Sequence, residues 1–415
     1  DVILGLILKK DPAPRMLAMV YKARGLGYSL FEDWKKAYED FSEAGKILAQ
    51  YGAGDDELLD NLSSHGMVLT KMKKYKEARK AYRRWAEAYR AKYGKESSQY
   101  QETLARLGTV ELYLGNKDEG CRLYGQAAQW LQNMVKSQLR YVNSAERGSF
   151  WNAAMEKLWT MPFFALQAEA TDNAFTEASY NALLFSKSLL LETEKSLQKA
   201  IQTEGSPEDL EKFKNMLELK EQTSALYRKY GADSDTLAVL NDRIQKLDHE
   251  LTVRSKSYAD YTRFLEWDYQ QVRKLLKDNE LLVDFVDYVP QKGKTEYAAF
   301  LIRKDREYPL LLRLFTQKEL DDLMPENALD LLYGATASEK AVKLLWDKIR
   351  PHAVEGATIY YVPSGKLYQL AWESLSTGDG SLLGEHYRFV RLSSAREIAR
   401  VHAVRESGHS AVLYG

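Results

Sequence analysis

The pattern of apolar and polar positions changes character once along the chain, near Asn279. Before that point apolar residues recur on one face at helical spacing, and between Gln129 and Lys274 only Pro162 and Pro207 interrupt them. The pattern also repeats. Gly25, Gly66 and Gly108 align at spacings of 41 and 42 residues; Tyr21, Leu62 and Leu104 stand four before them, Ala37, Ala78 and Gly120 twelve after, and Phe41, Tyr82 and Tyr124 sixteen after. Small residues facing each other on successive helices, with an aromatic one turn further on, let two antiparallel helices approach closely. The turns align as well, as Phe31-Glu32-Asp33-Trp34, Lys73-Lys74-Tyr75-Lys76 and Gly115-Asn116-Lys117-Asp118. Tyr51-Gly52 and Tyr93-Gly94 mark equivalent helix ends, where glycine can take a left-handed cap. A nonrepeating helical bundle is the alternative reading.

Further helices follow. The stretch Tyr180 to Leu191 is strongly apolar on one face, Ser206-Pro207-Glu208-Asp209 carries a helix-start signal, and Leu237 to Leu276 predicts one or two long helices with a solvated, charged face. Beyond Asn279 the residues become β-branched and aromatic. Glu280 to Val289 and Tyr297 to Ile302 predict a hairpin around Pro290 to Lys294, and Leu310 to Phe315 a third strand. Glu319 to Leu323 and Ser338 to Ile349 predict helices. Thr358 to Val362 predicts a buried strand turning at Pro363-Ser364-Gly365-Lys366, and Tyr387 to Leu392 another. A helix from Ala395 to Val404, capped by Ser393 or Ser394, and a strand from Ala411 to Tyr414 complete a strand-helix-strand unit. That is the arrangement of an α/β domain with parallel strands.

The 415 residues suffice for roughly two or three domains. Lys plus Arg and Asp plus Glu each number 59, so the net charge is zero, which disfavours direct nucleic-acid binding and a membrane surface. One cysteine, Cys121, allows neither an internal disulfide nor a multi-cysteine metal site and fits a reducing, cytoplasmic compartment. The apolar run Val2 to Leu8 stops at Lys9 and Lys10, too short to span a bilayer and poorly matched to a signal peptide. Both ends read as cut. No His-x-x-x-His pattern, phosphate loop or dinucleotide fingerprint occurs, so no cofactor and no metal are expected.

The aligned small and aromatic positions resemble tetratricopeptide repeats, with a period longer than the usual ~34 residues and hence longer helices. Tyr360 to Leu367 with Leu370-Ala371-Trp372-Glu373-Ser374-Leu375, then Leu382 to Tyr387 and Leu392-Ser393-Ser394-Ala395, resembles the opening half of a CHAT domain. That family has a caspase-like fold and often follows tetratricopeptide repeats. The resemblance divides the chain into helical repeats (1–128), a helical extension (129–278) and the first part of a caspase-like α/β domain (279–415). The fold class is thus α followed by α/β.

The resemblance implies a cysteine peptidase in which a histidine activates a cysteine thiolate and backbone N–H groups hold the oxyanion. Both catalytic residues of the family follow the strand corresponding to Ala411–Gly415, in His-Gly and Ser-Ala-Cys type motifs, neither of which occurs in residues 279–415. No catalytic residue is therefore expected on this chain. Cys121, beside the small packing position Gly120, reads as a buried, inert thiol. His386 and His409 do not match the dyad position, and His65, His249, His352 and His402 share no spacing. Glu373 matches an acidic family position, with a structural hydrogen-bonding role or a substrate-binding one. Two functions stay open. One is the regulatory portion of a caspase-like endopeptidase, with a protein or peptide partner on its repeats and its own C-terminal catalytic segment elsewhere. The other is a noncatalytic repeat adaptor with a degenerate CHAT-like domain.

Overall fold

The computed structural model describes residues 13–138, 158, 160–187, 205–230, 235–254, 267–290, 294–324 and 332–404. The chain divides into two compact units, Asp1–Trp130 and Leu131–Gly415.

The first unit is helical throughout. Its hairpins pair α1 (Pro14–Leu30) with α2 (Trp34–Leu48), α3 (Asp56–Lys71) with α4 (Tyr75–Tyr93), and α5 (Ser98–Tyr113) with α6 (Lys117–Gln138), the last running past the unit boundary. The aligned glycines explain the close packing. A Cβ on Gly25 would meet the ring of Phe41 at 3.1 Å, one on Gly66 the ring of Tyr82 at 2.5 Å, and one on Gly108 the backbone of Gly120 and Tyr124 at 2.9 Å. The residue sixteen further on closes the space beside each glycine, by its ring at Gly25 and Gly66 and, together with Gly120, by its backbone at Gly108.

The turns share one backbone form despite unrelated residues. Glu32, Lys73 and Gly115 all have positive φ, at 59°, 60° and 83°. The next N–H in each turn donates to the carbonyl five residues back, Asp33 to Tyr28, Lys74 to Leu69 and Asn116 to Glu111, each at 2.9 Å. This is the six-to-one bond of a Schellman cap. Gly52 and Gly94 also have positive φ, 102° and 80°, but their ψ values of 157° and 170° are extended. The expected left-handed caps there are instead mirror-extended turns, a conformation that glycine adopts freely.

The second unit holds a mixed five-stranded sheet in the order β3-β2-β1-β4-β5, formed by β1 (Glu280–Tyr288), β2 (Glu296–Ile302), β3 (Leu310–Thr316), β4 (Thr358–Val362) and β5 (Arg388–Arg391). The first three strands are antiparallel neighbours, whereas β1, β4 and β5 run parallel, with Leu282 opposite Tyr360 and Tyr361 opposite Arg391. β1 is buried on both faces except at Asp287, which is why it reads as a nearly continuous apolar run. The ladder edge of β3 is met by the chain before it, since Leu311 N–H donates to Thr171 C=O at 2.8 Å.

One face of the sheet, with Val283, Phe285, Ala299, Ile359 and Tyr361, packs in a core with residues of α12 (Gln317–Leu323) and α13 (Ala335–Leu345) and with Trp346 and Trp372. The other meets α8 (Ala174–Ser186) and α11 (Tyr269–Leu275): the Tyr180 ring lies 5.3 Å from Phe300 and 6.1 Å from Tyr269. Upstream, α7 (Met161–Gln167) places Phe163 6.2 Å from Tyr288. The helices α9 (Pro207–Tyr230) and α10 (Asp235–Arg254) share a small core of Phe213, Met216, Leu219, Ile244 and Leu251. Ser206 caps α9, its Oγ accepting from Asp209 N–H at 3.1 Å.

The expected helix at Tyr180 begins earlier and ends at Ser186; Ser188 to Leu191 lie outside the described residues. The charged stretch from Leu237 resolves into α10 and α11. The helix expected from Ala395 opens with a 3-10 turn, Ala395–Glu397, capped by Ser394, and continues as α15 (Ile398–Val404) after the short α14 (Leu383–His386). The strand expected at Ala411 to Tyr414 lies outside the described residues. Among the described residues no helix is long and apolar enough to cross a membrane.

Candidate functional site

In a sheet with parallel strands, ligands characteristically meet the carboxyl ends of the strands where the strand order reverses direction. Here that point lies between β1 and β4, because the chain leaves β1 toward β2 on one side and returns to β4 on the other. The turn after β4, Pro363 to Lys366, stands there beside Asp287 of β1. Ser364 Oγ donates to Asp287 Oδ1, and Lys366 Nζ pairs with Asp321 of α12. The bond from Lys366 holds the Asp321 carboxyl below its usual range. Gln317 Nε2 donates to the same Asp321 at 2.7 Å and accepts at Oε1 from Tyr297 OH at 2.8 Å. Gly365 carries a φ of +53°, and a Cβ there would run into the Tyr297 hydroxyl, so the turn requires glycine twice over. The result is a pinned loop whose charged groups already have partners. It can position a neighbouring group, but it contains no nucleophile with an adjacent strong base.

The second face of the sheet holds charge inside the unit. Asp284, fully buried, accepts from Lys187 Nζ at 2.5 Å and from Tyr180 OH at 3.3 Å. Burial raises its pKa, and the Lys187 ammonium opposes that rise. Burial likewise pushes the Tyr180 hydroxyl well up. Four residues earlier on β1, Glu280 accepts from Tyr360 OH at 3.1 Å and lies 3.3 Å from His402 Nε2. These groups fasten α8 and α15 to β1 and β4. The sequence signal for them is an acidic residue inside an apolar strand, Leu281-Leu282-Val283-Asp284-Phe285.

The remaining candidates are scattered. Cys121 is half-buried rather than buried, and its thiol is pushed up to about 11, chiefly by burial and then by Asp118. His65 lies 5.2 Å from the Tyr38 ring with its pKa lowered by burial; His352 is likewise lowered by burial, and His249 is exposed. His409 lies outside the described residues. Glu373 is exposed in the turn Trp372–Ser374, and its charge raises the Tyr361 hydroxyl pKa already raised by burial.

His386 makes the one arrangement with a hydrolase-like connectivity among the described residues. Its Nε2 lies 2.7 Å from Ser381 Oγ and its Nδ1 2.8 Å from Glu355 Oε1. Ser381 Oγ is also 2.5 Å from Asp379 Oδ1, which accepts from Ser381 N–H at 2.9 Å as well. The serine proton therefore has a carboxylate acceptor closer than the imidazole. Glu355 is 70% exposed, which screens its influence on the ring. The next N–H groups donate to Glu385 and to Leu375 C=O, leaving neither to hold an oxyanion. The array is a clasp across the loop, and it lacks what nucleophilic catalysis needs.

In the first unit, a polar depression of about 630 Å³ beside the α5–α6 turn is lined by Arg83, Glu111 and Asn116 among others. Glu111, 1% exposed, is already taken by Arg83 at 3.1 Å, Arg79 at 3.5 Å and Asn116 Nδ2 at 2.6 Å. No group of three or more potential metal-ligating side chains occurs among the described residues.

No family model and no curated protein matches the chain. Among solved structures, the crystal structure of BtubC (BKLC) from P. vanneervenii is similar at 19% sequence identity with a TM-score of 0.31, covering 41% of this chain and 65% of that one. The chain thus spans less than two thirds of that protein, and a likeness of this size carries no argument about function.

Proposed function

We propose that this chain is the repeat and pro-domain portion of a caspase-like cysteine endopeptidase that cleaves protein substrates and is regulated by partner binding or proteolytic processing. Its hairpins are tetratricopeptide-like and offer the partner surface; residues 279–415 form the opening half of a CHAT-type domain. The observation that carries this reading is the parallel set β1, β4 and β5 with the pinned Ser364-Gly365-Lys366 turn at the reversal point. A catalytic segment that continued such a sheet would deliver its histidine and cysteine to the same carboxyl edge, where strand ends characteristically present catalytic groups. The histidine would raise the thiolate fraction of the cysteine and the thiolate would attack the scissile carbonyl. Cys121 is unsuited to that role, since it sits in the helical unit with a raised pKa.

The adaptor reading draws on one observation, that the charged groups of the loop are paired with one another. The test is to express the chain alone and together with the coding sequence that follows Gly415, and to assay both for peptide-bond hydrolysis. We expect activity only in the longer protein, lost on alkylation of a cysteine other than Cys121. Activity from these residues alone overturns the dyad placement. An inactive longer protein without His-Gly and Ala-Cys motifs leaves the adaptor.

A further inference from the structure

The second hairpin carries a charge that its neighbours do not. Between Lys71 and Arg84 it holds eight lysines and arginines against one acid, Glu77. The same eight positions one period earlier hold Glu32, Asp33, Glu39 and Glu43 with a single lysine, Lys35; one period later their only charges are Asp118 and Arg122. The fold therefore accepts a negative or a neutral surface here. Only part of the positive charge is used within the unit: Arg79 and Arg83 reach the buried Glu111 at 3.5 Å and 3.1 Å, and Lys74 lies 4.5 Å from the centre of the Tyr38 ring. Lys71, Lys73, Lys76, Lys80 and Arg84 are exposed and enter no ion pair among the described residues. Stability does not account for them. Lys76, Lys80 and Arg84 follow one another at four-residue intervals on α4, where like charges repel, and Lys76 stands in the first turn, where the helix dipole disfavours a cation. Lys73 keeps its side chain at a φ of 60°, at the position where the third hairpin has Gly115. A solvated face mixes signs along such a row, as Lys35, Glu39 and Glu43 do on α2 and Asp118, Arg122 and Gln126 on α6.

We infer that the row Lys76, Lys80 and Arg84, with Lys71 and Lys73 at its turn end, is the docking site of an acidic, extended segment of a partner protein. Each step along the row rises about 6 Å, close to the ~6.8 Å between same-side residues of an extended chain, so alternate Glu or Asp side chains meet successive cations. Complementary charge of this kind fixes register and speeds encounter. Nucleic acid fits less well. The chain has no net positive charge to draw it in, and the row offers no ring for a base to stack on, since Trp85 is buried and Tyr75 is stacked on Tyr113 at 4.8 Å. The surface gives the partner site of the proposed function a place and a chemistry; it rests on that reading only in that the repeats bind a protein, and not on peptidase chemistry.

The test follows the fluorescence anisotropy of a dye-labelled peptide of alternating glutamate and serine as the full 415-residue chain is added at low ionic strength. Lys76→Gln with Lys80→Gln and Arg84→Gln is expected to weaken binding at least fivefold, and Lys76→Glu with Lys80→Glu and Arg84→Glu to abolish it. Removing as much charge from exposed lysines of the other unit, by Lys214→Gln with Lys340→Gln and Lys343→Gln, is expected to leave binding unchanged. The row makes no ion pair, so its glutamine variant is expected to melt no lower than the parent by circular dichroism; a lower melting temperature would show that the cations serve the fold and overturns the inference. Absence of binding by the unsubstituted chain, or equal weakening by both glutamine variants, overturns it outright. Tighter binding of an oligothymidylate of the same charge overturns it in favour of nucleic acid, and a dimer that dissociates in the glutamine variant overturns it in favour of a second copy. The assay reads no hydrolysis, so failure of the peptidase reading leaves this result standing, and the reverse.

Discussion

The two units bury polar groups in different ways. In the helical unit the recurring contacts are steric: a glycine faces an aromatic sixteen residues later, and the turn closes on a backbone bond spanning five residues. Where charge is buried there, as at Glu111 and at Asp40 under Arg24, the arginine partners are themselves partly exposed. In the sheet unit, a lysine 97 residues away in sequence reaches a fully buried aspartate, and a tyrosine 104 residues away joins it. Local contacts let one hairpin be altered with its neighbours intact. A buried long-range pair makes α8 and β1 depend on each other, because removing one partner leaves the other charged and dry.

The largest effect should therefore come from Lys187→Met. It strands Asp284, and we expect a loss of about 3–5 kcal/mol at pH 7, read by chemical denaturation with hydrogen exchange assigning the loss to the sheet unit. The sign with pH is set by the raised folded-state pKa of Asp284, which the substitution raises further. Stability is retained below the unfolded carboxylate pKa and lost as pH rises through the folded one, so the variant should be closer to wild type at pH 4 than at pH 7. An equal loss at both pH values would refute the buried-charge account.

Gly108→Val should cost about 2–3 kcal/mol, because backbone atoms of the facing helix cannot withdraw as a side chain can. Hydrogen exchange should show the weakening within the helical unit and leave the sheet protected; a uniform loss would break the contrast. Lys73→Gly should work in the opposite direction, stabilising by roughly 0.5–1 kcal/mol, since glycine relieves the positive φ that lysine endures there. The smallest change is expected from Cys121→Ala, within about 0.5 kcal/mol in thermal denaturation. In the unsubstituted chain, alkylation of Cys121 should rise about tenfold per pH unit between 7 and 10, as a thiol titrating near 11 requires.

The same division governs what could be read before the fold was known. Hairpins, turns and strand positions are legible because their determinants lie close together in sequence, as with Gly66 and Tyr82 sixteen residues apart in one hairpin or the unbroken apolar run Tyr297 to Ile302 of β2. The turn at Ser364-Gly365-Lys366 was legible for the same reason. Its partners were not: Asp321, Gln317 and Tyr297 lie on other elements, and only the sheet order brings them to Lys366. Asp284 stood out as a charge inside an apolar run, yet nothing local pointed to Lys187. The helix ends at Gly52 and Gly94 are legible from the glycines, but their extended ψ is not, because it depends on the direction the next helix takes. Exposure of Cys121 is also a tertiary property that its neighbour Gly120 could not reveal.

The shared turn geometry also says where the hairpin keeps its length constant. From Gly25 to Phe41, Gly66 to Tyr82 and Gly108 to Tyr124 the separation never varies, yet the period grows from 41 to 42. The added residue enters after Tyr82: α2 tapers through a 3-10 turn, Ala49–Tyr51, whereas α4 continues as regular helix to Tyr93. Each hairpin is thus a fixed gauge joined by adjustable spacers. Insertions and gaps in related chains belong in the spacers, after the aromatic and before the next helix, and a tag placed beside Gly52 or Gly94 leaves every gauge in register.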